Sequence, residues 1–152
     1  MLWIDPSLWF SLAGQIMLVA WLLLAISLWF RPLHRGVEVL GFVALPVIIG
    51  AAYLVLMLLR LPFEDGGYGS LDQVRALFAD DHLLLAGWLH FLVFDFFVGT
   101  WIARRSRGLR IWRILILPCL ALCFLAGPAG LLAFLVLRAV AGLGLRAGDS
   151  SP

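Results

Sequence analysis

Two ionisable side chains, Asp95 and His90, lie inside the apolar run Leu83–Ile102, whose local text is WLHFLVFDFFVGTWI over residues 88–102. A run of this length matches the ~20 residues an α-helix needs to cross a bilayer. A carboxylate near the middle of such a span costs ~2.5 kcal/mol or more, so it marks a functional site by default. Three roles suit the pair. They can bond across helices as structural glue. They can act as acid–base groups tuned by desolvation. They can relay protons or a solute, as in transporters. Five residues apart on a helix, they point about 140° away from each other. They are therefore not one hydrogen-bonded pair. Either they border a shared cavity or they face different neighbours. Trp88, Phe91 and Asp95 share one helix face, while His90, Phe94, Phe97 and Trp101 form another.

The elements that position these groups follow from composition. The 152 residues are 64% hydrophobic and 13% charged, with a mean hydropathy of +1.06. Soluble domains carry about 25% charged residues. The chain therefore reads as one all-α integral membrane domain, residues 1–152, with no room for a separate soluble module. Four apolar segments stand out, at about 8–30, 37–61, 83–102 and 111–137, the last with an allowed extension to 145. Period-two alternation is absent, so the expectation is four transmembrane helices rather than barrel strands. No basic residue or short cleavable core marks the N-terminus, so the first segment is expected to stay in the protein. All eleven basic residues are Arg. Seven fall around the loops at 31–36 and 103–113, and four (Arg60, Arg75, Arg138 and Arg146) fall elsewhere. The intervening loop is acidic, with Glu64, Asp65, Asp72, Asp80 and Asp81. The positive-inside rule then places the two short loops in the cytoplasm and both termini outside. The arginines also suit anionic headgroups, although a plain topology signal explains them. Net charge is only +2, which argues against nucleic acid as a partner.

Trp9 and Trp29 bracket the first segment about 30 Å apart along a helix, as interfacial indoles do. Trp101 and Trp112 flank the second short loop in the same way. Trp21 and Trp88 fall well inside their segments and suit either packing or the wall of a ligand cleft. Pro46 predicts a kink in the second segment. The fourth contains Pro118 and then Gly127-Pro128-Ala129-Gly130. From Ile111 to Leu145 is about 52 Å of helix, so a kinked, tilted span is expected. A hairpin at Gly127–Gly130 would leave two pieces too short to cross. In the loop 62–82, Ser70 and Gln73 have capping-box spacing, followed by Leu71, Val74, Leu77 and Phe78 at helical intervals. That predicts a short amphipathic helix, acting as an anchor or a lid. Asp80 or Asp81 can cap the third segment. Glu38 sits at the cytoplasmic entrance of the second and need not be desolvated. Cys119 and Cys123 share a face as small buried residues, and that spacing does not suit a disulfide. His82 and His90 lack further ligands at metal spacing, so no metal is expected. No phosphate loop, nucleophile elbow or other cofactor motif is present.

The segment from Arg75 to Arg138 resembles the neoxanthin-synthase-like family of small membrane proteins. The residues carrying the resemblance are Trp88-Leu89-His90, Phe94-Asp95, Phe97-Val98-Gly99, Trp101-Ile102, Pro118-Cys119 and Gly127-Pro128-Ala129-Gly130-Leu131-Leu132. The family's plant member is needed to make neoxanthin from violaxanthin, an epoxide opening with no net redox change. The resemblance implies binding or isomerisation of a carotenoid or another isoprenoid lipid, with no redox cofactor. Asp95 and His90 are then the expected acid–base groups, and Trp88, Trp21, Phe91, Phe94, Gly99 and Trp101 the expected ligand contacts. The short, Arg-only chain reads as a bacterial inner-membrane protein, for which a polyene other than violaxanthin is expected. The competing expectation is a membrane subunit or small proton-coupled transporter, in which Asp95 and His90 serve packing or relay. A homo-oligomer is left open.

Overall fold

The computed structural model describes residues 5–63, 66–109 and 111–141. The positions Glu64, Asp65, Arg110 and Arg146, and the extension to 145, lie outside the described residues. Every regular element among them is helical: α1 (Pro6–Ser27), α2 (Leu33–Leu59), α3 (Leu71–Leu77), α4 (Asp81–Ser106), α5 (Arg113–Ala126) and α6 (Pro128–Val140). Three of them, α1, α2 and α4, are long and apolar enough to cross a membrane.

Helix α1 starts where Asp5 caps it: its carboxylate accepts from the Ser7 backbone N–H at 2.9 Å and from the Ser7 hydroxyl at 2.7 Å. Those two bonds, hydroxyl first, hold the Asp5 carboxyl below its ordinary range. Pro6, with no N–H to lose, fits the first turn. The kink expected at Pro46 takes the form of a π-helical turn over Leu40–Ala44, where the Leu45 N–H reaches back to the Leu40 carbonyl. The widened turn puts Gly41 flat against Thr100 of α4; a Cβ there would collide with the Thr100 side chain. The loop helix α3 is present, with Ser70 accepting from the Gln73 N–H at 3.2 Å. Leu77 is buried beneath it and Phe78 rests against Gly87 of α4. Asp80, not Asp81, caps α4, accepting from the His82 and Leu83 backbones.

Helix α4 is the central post. It packs against α1, α2, α5 and α6, and carries fully buried Phe96, Thr100 and Ile102. Helices α1 and α4 run parallel: Phe10 meets Trp88 near their starts, and Trp21 meets Phe96 further along.

The fourth segment is not the single kinked span that its sequence predicts. Helices α5 and α6 have 14 and 13 residues and fold back on each other. A Cβ built on Gly130 would run into the backbone of Cys119 and Cys123, residues that an unbroken helix would hold ~10 Å or more away. The reason is local. Pro128 cannot bond the carbonyl four residues back, and its ring clashes with it. The helix ends at Ala126 and restarts with Pro128 in the first turn. Gly130 then lets the two backbones close. Each limb is about 20 Å long, so neither is long enough to cross a bilayer. Its tip meets the middle of α4, where the Cys123 thiol donates to the Asp95 carbonyl at 3.4 Å. Helix α6 then returns toward the end of α4, with Phe134 edge-on to Trp101 at 5.7 Å. The last described residue, 141, thus lies at the opposite end of the bundle from residue 5, where the sequence expectation puts both termini on one side.

Candidate functional site

Asp95 is buried, and its side chain abuts the hairpin tip. Its carboxylate lies directly against the Gly127 backbone. A Cβ on Gly127 would occupy space the carboxylate now fills, so the close approach favours glycine there. The start of α6 carries the partial positive charge of a helix N-terminus, which favours an acidic neighbour. Asp95 therefore sits across the bundle at the break between α5 and α6. Irregular backbone at membrane depth is tolerated only where protein or a cavity receives it, and broken helices mark sites in many transporters. The second carboxylate oxygen, Oδ2, is buried without a hydrogen-bond partner.

His90 goes elsewhere. It is exposed on the outer face of α4, stacked on Phe94 at 4.5 Å and beside Tyr53 of α2 at 5.7 Å. The structure does not bring Asp95 and His90 together around one cavity, and the wheel angle of about 140° explains why. Phe94 is exposed with His90. Trp101 packs on Phe134 at the far end of α4. Trp21 is buried, its ring lying on Gly99 and edge-on to Phe96 and Phe124. Trp21 and Gly99 are thus mutual packing partners at the level of the hairpin tip, and neither forms the wall of an open cleft.

Trp88 and Phe91 remain with Asp95. Seven residues bring a helix round to the same face, so Trp88 stands about 10 Å above Asp95, with Phe91 between. Trp88 stacks with Phe91 at 5.5 Å and faces Phe10 of α1 at 5.1 Å. A cleft of about 580 Å³ opens here between the first turns of α1 and α4, walled by Phe10, Leu84, Leu85 and Trp88, with Asp5, Ser7 and Asp81 at its rim. Asp95 is not among its walls. The hairpin ends below it, so no limb of the fourth segment covers this stripe of α4 among the described residues. The Trp88 indole Nε1 is buried and has no acceptor. This donor, together with Phe10, is what sequence reasoning missed, because both depend on the neighbouring helix.

Two polar clusters sit at the ends of the bundle. At one, Arg60 of the α2 end donates to His82 Nδ1 at 2.5 Å and pairs with Asp80 at 3.2 Å. At the other, Glu38 pairs with Arg107 at 2.5 Å and with Arg104 at 4.0 Å, locking α2 to the end of α4. Among the described residues no group of three His, Cys, Asp or Glu side chains is placed to hold a metal.

No curated protein and no solved structure matches the chain. The family model described as ABA DEFICIENT 4-like matches residues 8–134, extending through both helices that precede Arg75 and through the hairpin to Phe134. The chain therefore belongs to the ABA DEFICIENT 4-like, neoxanthin-synthase-like family.

Proposed function

We propose that this membrane protein binds a carotenoid or related isoprenoid lipid along the Trp88–Phe91–Asp95 stripe, above the hairpin tip. The observation that carries the proposal is the stripe itself: an aromatic wall, an unpartnered indole N–H, and a buried acid at its foot, on a face the short hairpin leaves uncovered. A polyene is flat and apolar and stacks on indole and phenyl rings. An oxygen on its end ring is a suitable acceptor for Trp88 Nε1. Asp95 is the acid–base group of this reading. Its carboxylate takes a proton from one carbon of the ligand, and the resulting acid returns a proton at another position, so the ligand is isomerised with no redox change. His90 has no part in it. The same reading sets the protein in a bacterial inner membrane with its arginine-rich end in the cytoplasm, supported by the charge bias of the loops.

A second reading has its own support. The close approach of Gly127 and the Cys123 thiol to Asp95 supports a structural task for it, seating the hairpin tip, whether or not chemistry follows. The test is expression in a carotenoid-producing host, with purification and extraction of the pigment. The proposal expects bound polyene in the wild type, and about tenfold less with Trp88→Ala, the scale of a lost ring stack and hydrogen bond. An unchanged pigment profile together with no bound polyene would overturn it.

A further inference from the structure

At the arginine-rich end, a second cavity has a different chemistry. It measures about 240 Å³ and lies between the turn after α1, the start of α2, the end of α4 and the start of α5. Arg31, His34, Arg107 and Arg113 line it, over an apolar base that includes Leu28 and Ile116. No carboxylate is among its walls. Glu38 holds Arg107 through Nη1. The Nε and Nη2 of the same guanidinium are buried and have no acceptor. Leaving charged donors buried and unpaired is costly, so the arrangement calls for an anion. His34 Nε2 donates to the Ser27 carbonyl at 2.8 Å, which fixes the ring at the cavity wall. Arg113 opens α5, whose N-cap residue, Trp112, supplies no side-chain bond to the first turn.

We infer that this cavity binds a phosphate group, and that the group is the headgroup of an anionic membrane lipid. Phosphate fits because it accepts from several guanidinium and amide donors at once. A lipid source fits because exposed Trp29 and Trp112 stand at the same end of the bundle, where interfacial indoles mark headgroup depth. The site is separate from the stripe above the hairpin tip and does not depend on that reading.

The test uses the full chain in neutral detergent, titrated with dioctanoyl phosphatidic acid, dioctanoyl phosphatidylcholine and inorganic phosphate, with binding read by calorimetry. Phosphatidic acid is expected to bind, and Arg31→Gln with Arg113→Gln to weaken it about tenfold. Arg35→Gln, which removes an exposed charge outside the cavity, is expected to leave it unchanged. Both variants are checked by gel filtration; if the paired variant does not fold, Arg31→Gln alone is read. Phosphatidic acid bound far more tightly than inorganic phosphate assigns the site to lipid. Equal affinity for inorganic phosphate overturns the lipid assignment and leaves a free-anion site. No binding of either, or equal loss with Arg35→Gln, overturns the site itself.

Discussion

The proposed function gives Asp95 two roles that a single substitution can separate. As a polar group packed on the hairpin tip it needs only its size and an oxygen facing Gly127, and asparagine keeps both. As an acid–base group it needs a carboxyl. Asp95→Asn is therefore expected to leave thermal unfolding nearly unchanged while abolishing ligand conversion, read by pigment analysis of the host. Asp95→Leu is expected to lower stability by about 1–3 kcal/mol, because the polar backbone at the hairpin tip then faces an apolar side chain. His90→Ala is expected to change neither fold nor conversion, since the ring stands on the outer face against Phe94 and Tyr53. The burial of Asp95 was legible in the sequence, since a lone acid in a twenty-residue apolar run is conspicuous. So was the divergence of His90, from the wheel. What received the carboxylate was not legible, because Gly127 is thirty-two residues away and no pattern links the two.

At the scale of elements, the hairpin rests on two glycines with different neighbours. A methyl at Gly127 meets the Asp95 side chain, which has some freedom to move; a methyl at Gly130 meets the α5 backbone, which does not. Gly127→Ala is expected to cost about 1–3 kcal/mol, the range for overpacking, and Gly130→Ala more than that. Gly14→Ala, with open space around the added carbon, is expected to be neutral or slightly stabilising. Differential scanning in detergent ranks the three. The cap at Asp5 gives a pH signature. Its carboxyl lies below the ordinary value when folded, so its contribution is present above that ordinary value and is lost as the pH falls through the folded one. Asp5→Asn is expected to remove that acid-side dependence from the unfolding of α1. The loop helix and its Ser70 cap were readable because turn chemistry is local. The fourth segment misled for a physical reason: Gly-Pro-Ala-Gly permits a kink and a reversal alike, and the spanning-length argument assumes that the limbs must cross. They need not cross, because α4 receives their tip.

For the whole molecule, three long apolar helices and a short hairpin make an asymmetric bundle among the described residues. The hairpin fills the arginine-rich half beside α4 and leaves the other half of that face to Trp88 and Phe91. This asymmetry gives the proposed lipid site its place, and it fixes which end of the bundle α6 returns to. Cysteine probes at Ser7, Gly108 and Ala141, each exposed, read it directly through labelling of intact vesicles with a membrane-impermeant thiol reagent. The native chain, whose Cys119 and Cys123 are buried, serves as the blank. The reversal at Gly127 predicts that Gly108→Cys and Ala141→Cys label from the same side and Ser7→Cys from the other. Labelling of Ala141→Cys together with Ser7→Cys, and opposite to Gly108→Cys, would mean an uninterrupted fourth span and would contradict the account.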